Sequence, residues 1–148
     1  MPDQAINGKL GDRTYLVVKN VAGTTIEKGM GVSFEGAAAS IDGIGVSLLL
    51  IAGIAGFAGI ADEDIPNNAF GRVINSGVAD SVLISHVGTS ITITKGNILK
   101  PSTVAGTFFS SITPQAVSTL LYRYVQAMTT PVAISTKAQS YCKGWVVT

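Results

Sequence analysis

A histidine, a cysteine and three adjacent carboxylates are the side chains of this sequence best suited to chemistry. His86 and Cys142 are each the single residue of their type. They could act as a base and nucleophile only if the fold brought them together. Read locally, His86 ends a strand at the surface, and Cys142 is a small, half-buried hydrophobe within a strand. A hydrolytic triad or a zinc cluster needs more partners than these two supply. Asp62-Glu63-Asp64 offers oxygens to a hard cation. It lacks the Asp-x-Asp-x-Asp-Gly spacing and the closing glutamate of a calcium loop, so it reads as a solvated turn. Gly53-Ile54-Ala55-Gly56-Phe57-Ala58-Gly59 is rich in glycine but carries no lysine for phosphate, and no GxGxxG or GxxxxGK[ST] pattern occurs. Close backbone packing in a core explains it better. Without converging titratable groups no enzyme is expected, and no catalytic residue, cofactor or metal is assigned.

The elements that carry these residues read as strands. Tyr15-Leu16-Val17-Val18-Lys19-Asn20 is rich in β-branched and aromatic residues and stops at a turn-forming Asn. Thr25-Ile26-Glu27-Lys28-Gly29 leads into Val32-Ser33-Phe34. Ala69–Ile74 is expected to turn at Asn75-Ser76-Gly77 and return over Val78–Ser85 as a hairpin, with Val78, Asp80, Val82 and Ile84 on one face. Ile91-Thr92-Ile93-Thr94 is a further strand, and Pro101–Gly106 a loop. Two readings of 114–128 stand side by side. One is a helix capped at Thr113-Pro114, with Val117, Leu120, Leu121, Tyr124, Val125 and Met128 on one face. The other ends the helix near Leu121 and makes Tyr122–Met128 a strand. Val132–Ser135 and Gly144–Val147 read as closing strands. Thr25–Gly29 is echoed by Thr92-Ile93-Thr94-Lys95-Gly96, each a strand-end lysine followed by a turning glycine. The echo is too short to define a repeat, and coincidence in a β-rich chain accounts for it equally well.

Length and composition set the frame. A chain of 148 residues fits one domain. Only 13% of its residues are charged, against about 25% in an ordinary soluble domain. A surface so poor in charge tends to be covered by something, which points to an assembly component. The net charge is +1, with no basic stripe for a nucleic acid. A lone cysteine excludes an intrachain disulfide, and the N-terminus does not read as a secretory signal. From Gly43 to Ala61 there are 19 residues without a charge, long enough on that count to span a membrane. Five of them are glycine, which weakens a helix, and the downstream flank is acidic rather than basic. Two buried strands, over Val46–Ala52 and Phe57–Ala61, are the expected reading. A small membrane-associated protein with one apolar segment at 43–61 is the alternative.

Three stretches carry a resemblance. Asn20-Val21-Ala22-Gly23-Thr24-Thr25-Ile26-Glu27-Lys28-Gly29 looks like an N-x-x-G-x-x-I-x-K-G opening. Phe57 to Val73 looks like a G-V-A-x-E-D-I-x-x-x-x-x-G-x-V strand–turn–strand, here through Gly59-Ile60-Ala61-Asp62-Glu63-Asp64-Ile65 and Gly71-Arg72-Val73. Ile93-Thr94-Lys95-Gly96-Asn97-Ile98-Leu99-Lys100-Pro101-Ser102 looks like an I-x-x-G-D-x-L-x-x-S segment. Together these resemble the head-decoration (capsid cement) proteins of tailed bacteriophages. The resemblance covers about residues 15–105 and departs over the last forty. It implies a mainly β fold, a small β-barrel or β-tulip-like domain over 14–148, with an extended N-terminal arm over 1–13 and at most one or two short helices. It also implies a structural role on the exterior of a virion assembled in the host cytoplasm, as a homotrimer that bridges subunits of the major capsid protein. No nucleic acid or membrane partner is implied. The arm residues Pro2, Asp3, Gln4, Ala5, Ile6, Asn7, Lys9 and Leu10 would then bind the capsid, by adding a strand to a capsid loop.

Overall fold

The computed structural model describes residues 13–35, 44–50, 56–85, 96, 98–101, 104–111, 124–129, 132–133 and 139–147. Ten strands run through them: β1 (Thr14–Asn20), β2 (Gly31–Phe34), β3 (Gly45–Leu48), β4 (Phe57–Ala61), β5 (Phe70–Ser85), β6 (Ile98–Pro101), β7 (Phe108–Ser111), β8 (Tyr124–Ala127), β9 (Val132–Ala133) and β10 (Gln139–Val147). There is no helix among the described residues, and the fold is mainly β, as the β-branched composition favours.

β1 lies parallel to β3 and antiparallel to β5, while β3, β2, β4 and β5 pair in turn. The circuit closes as a five-strand barrel. Closure leaves none of the five with an open edge. The 16-residue β5 then runs on out of this ring. Beyond it, β5 lies parallel to β7 and antiparallel to β10, and β7, β6, β8 and β10 pair in turn to close a second circuit. β9 lies along β10.

The second ring repeats the first, with β5 to β8 and β10 in the places of β1 to β5. Each ring has one parallel contact, β1–β3 or β5–β7, and the rest antiparallel. The correspondence reaches single hydrogen bonds. Gly29 N–H donates to the Ala61 carbonyl at 2.9 Å, and Gly96 N–H to the Ala127 carbonyl at 2.7 Å. Asp62 N–H donates to Arg72 O, and Met128 N–H to Lys143 O. Arg72 N–H donates to Glu63 Oε1 at 2.9 Å, and Lys143 N–H to Thr129 Oγ1 at 2.9 Å. Gly29 and Gly96 both take a left-handed backbone, φ 91° and 93°, two residues before β2 and β6. The Lys-Gly echo therefore ends at equivalent glycines of the two rings, while Thr92 to Lys95 lie outside the described residues.

The expected hairpin at Asn75-Ser76-Gly77 does not form: β5 runs unbroken through it. A turn there would need the two flanking runs to pair with each other. Instead 70–76 pairs with β1 and 77–85 with β10. Gly77 does take a positive φ, 101°, of the kind a turn uses, but within the strand. Val78, Asp80, Val82 and Ile84 do not share a face either. Val82 faces Cys142 and Ala79 faces Gly144, so Asp80 and Ser81 together oppose one residue of β10. This bulge shifts the alternation by one: Ala79, Val82 and Ile84 are buried and Asp80 is exposed.

Within Gly43–Ala61, β3 covers Gly45–Leu48 and β4 covers Phe57–Ala61; the expected strand Val46–Ala52 therefore stops at Leu48, Leu50 is exposed, and 43 and 51–55 lie outside the described residues. No helix is long and apolar enough to cross a membrane among the described residues. In 114–128 the strand reading holds over Tyr124–Ala127, where Val125 faces Val146 and Leu99. The expected strand Ile91–Thr94 and His86 lie outside the described residues.

Two apolar clusters fill the rings. Val18, Ile26, Val32, Val46, Ala58, Ala61, Ile65 and Val73 fill the first. Leu99, Val125, Ala127, Cys142 and Val146 join Ala79, Val82 and Ile84 in the second. Leu49, Phe57, Ile60 and Ile74, which belong to the first ring's strands or their ends, also pack into this second cluster. β4 can serve both because a bulge opposite Val32–Ser33 shifts its pleat, so Phe57 and Ile60 face one core while Ala58 and Ala61 face the other.

Candidate functional site

Apart from His86, which lies outside the described residues, the side chains most suited to chemistry are occupied in the framework. Asp64 Oδ1 accepts the Lys28 N–H at 2.7 Å, Glu63 accepts the Arg72 N–H, and Asp62 lies 3.5 Å from the Arg72 guanidinium. Asp62 and Glu63 are thus taken up by Arg72 and Asp64 by the Lys28 backbone, and no trio of His, Cys, Asp or Glu suited to a metal occurs among the described residues. Cys142 is buried, and loss of solvation pushes its thiol up to about 11, so the nucleophilic thiolate is scarce at neutral pH.

The motif residues have framework duties as well. Asn20 is fully buried, and its side-chain amide holds the ends of two loops. Nδ2 donates to Thr24 O and to Ile65 O, each at 2.7 Å, and Oδ1 accepts the Ala22 N–H at 2.8 Å. Ile26 and Ile65, both buried, bridge these loops through paired backbone bonds. Gly71 leaves room for the Ile65 side chain, which a Cβ at that position would strike.

What remains for recognition is the outer surface. On β1 the inward residues Leu16, Val18 and Asn20 alternate with Tyr15, Val17 and Lys19, which face out. Their partners on β5 place Arg72 beside Val17 and Phe70 beside Lys19. Val17, in the middle of β1, and Phe70, at the start of β5, are each 60% exposed, unusually open for large apolar side chains on paired strands. The two cations lie over aromatic rings: Arg72 is 5.3 Å from the Tyr15 ring centroid, and Lys19 Nζ is 6.0 Å from that of Phe70. Asp62 and Glu63 flank Arg72. The result is an apolar band with fixed cations on an otherwise closed sheet. Arg13, the last residue of the expected arm, is pinned next to it. Its guanidinium reaches Asp80 Oδ1 at 3.0 Å, and its pKa is raised, first by the Tyr15 hydrogen bond and then by Asp80. That ion pair ties the start of β1 to the second ring. On the second ring Trp145 faces outward between Val78 of β5 and Gln126 of β8 and is 50% exposed.

The expected capsid-binding residues Pro2, Asp3, Gln4, Ala5, Ile6, Asn7, Lys9 and Leu10 lie outside the described residues, where Arg13 alone represents the arm. The exposure of Tyr15, Val17, Phe70 and Trp145 was not legible in the sequence, because alternation shows that a strand has two faces but not which face meets water. The available signal was the aromatic–cation alternation at Tyr15, Val17 and Lys19. No protein-family model matches the chain, and no curated protein matches it.

Proposed function

We propose that this protein is a structural component of a tailed-phage particle, bound to the outside of an icosahedral capsid, where it stabilises the shell by bridging major capsid subunits. The observation that carries this reading is the open Tyr15–Val17–Phe70 band with Lys19 and Arg72 fixed above it. Aromatic residues and arginine are the groups enriched in protein interfaces, and the centres of such interfaces are poor in free charge. A chain with 13% charged residues suits that burial. The described motif residues behind the head-decoration resemblance, Asn20, Ile26, Ile65 and Gly71 among them, serve loops and cores, which agrees with a role exercised by contact rather than by reaction. The arm would add main-chain hydrogen bonds through strand addition, and copies repeated over a shell, as homotrimers in this reading, would gain by avidity.

Co-sedimentation with capsids of the encoding phage, stripped of any outer layer, tests this. The full chain should pellet with the capsids and raise the temperature at which they rupture. Phe70→Glu should weaken binding by about tenfold or more, the effect of losing one interface anchor, and a chain beginning at Arg13 should bind more weakly than the full chain. A full chain that stays in the supernatant, or a Phe70→Glu protein that binds like the parent, defeats the proposal.

A further inference from the structure

The repeat of ring one in ring two extends to the surfaces. In ring one, Ile74 faces Tyr15 on one side and Ile60 on the other. In ring two, Trp145 faces Val78 and Gln126 in the same way. Gly31 opposes Ile60 as Ile98 opposes Gln126, so the registers agree across the rings. The outward pair of ring one is buried, Ile60 at 0% and Ile74 at 1% exposure, because with Leu49 and Phe57 it belongs to the same core cluster as the ring-two residues Ala79, Val82, Leu99 and Val146. The outer β4–β5 face of one ring thus forms part of the core of the next. The corresponding face of ring two is open among the described residues, with Trp145 half exposed and Val78 and Gln126 partly so.

We propose that the Trp145–Val78–Gln126 face is a self-association surface and that its occupant is ring one of a second copy of this chain. The ring-to-ring contact inside the chain is then reproduced between chains, as repeats do when each buries the face of its neighbour. The receiving side is marked by Leu16, the counterpart of Ala79: Leu16 faces Val73 as Ala79 faces Gly144. Leu16 is only partly buried where Ala79 is fully so, the difference expected of an uncovered and a covered version of one position. Trp145, Val78 and Gln126 bring no charge into the contact, and the Gln126 amide is already held by the Gly96 carbonyl at 3.1 Å. Such a contact is heterologous, so it closes into a cyclic oligomer when the rotation permits and otherwise extends. The internal repeat carries this independently of any capsid.

Trp145 is the chain's single tryptophan, so its emission reports the face directly. Molar mass by light scattering and tryptophan emission are measured together on the full chain over a concentration series without capsids. The expected result is mass rising from 15.2 kDa to an integer multiple, with emission moving to shorter wavelength in step. Gln126→Lys, at the counterpart of the fully buried Ile60, keeps the reporter and should shift the midpoint at least tenfold upward in concentration. Trp145→Ser should do the same by mass alone, and both variants should keep the parent's circular dichroism. A chain that stays at 15.2 kDa up to about a millimolar, the range of weak association, overturns the proposal. So does an oligomer whose emission never shifts, or whose mass neither variant alters.

Discussion

Asn20 is one side chain on which two loops of ring one depend, and its replacement gives a measurable test of that dependence. Asn20→Ala removes both Nδ2 bonds and the bond from Ala22 N–H. The Ile65 carbonyl keeps the Ile26 N–H at 3.0 Å, leaving the Thr24 carbonyl and the Ala22 N–H without these partners. At about 1–3 kcal/mol for each of the two orphaned groups, the loss is roughly 2–6 kcal/mol, or about 5–20 °C in Tm for a chain of this size. Asn20→Asp is more discriminating. One carboxyl oxygen can still accept from Ala22, but the other replaces a donor 2.7 Å from two carbonyl oxygens. Only a protonated carboxyl can donate there, so its folded pKa must rise above the unfolded value of about 3.9. The folded state then binds more protons than the unfolded state, and stability falls as pH rises from about 4 toward the folded pKa. Urea unfolding of the parent and both variants at pH 4 and pH 7 reads this out. Asn20→Asp should lose more, relative to the parent, at pH 7 than at pH 4, while the deficit of Asn20→Ala should stay level. An aspartate variant with the same deficit at both pH values, or an alanine variant within about 0.5 kcal/mol of the parent, would refute the assigned hydrogen bonds.

Two further outcomes are expected. Gly59→Ala should lower stability by at least about 2 kcal/mol in the same assay, because a Cβ there meets the Ile74 carbonyl oxygen and φ is 152°; a neutral result would mean that β4 does not lie so close to β5. Cys142 should resist iodoacetamide in the folded protein at pH 8 and react at least about a hundredfold faster in urea, since its thiol is pushed up to about 11; equal rates would place it at the surface.

Local information in the sequence was enough for the strand class, for β1 and for β4 as a buried strand, because period-two alternation and β-branching act within a few residues. It also held the trace of the repeat, in two Lys-Gly turns whose glycines take nearly the same φ. Asn75-Ser76-Gly77 shows where local signals stop. Its residues suit a turn, but whether the chain reverses depends on which strands offer hydrogen-bonding partners, and those come from β1, β4 and β10, distant in sequence. Tyr124–Ala127 fitted a helix face as well as a strand until its pairing with β6 and β10 decided. Tertiary structure alone decided that one long strand serves two rings. It also decided that Ile74 is buried while its counterpart Trp145 meets solvent, and that Val17 and Phe70 stand exposed beside fixed cations. A residue's type sets what contacts it can make, but its exposure is a property of what the rest of the chain lays over it.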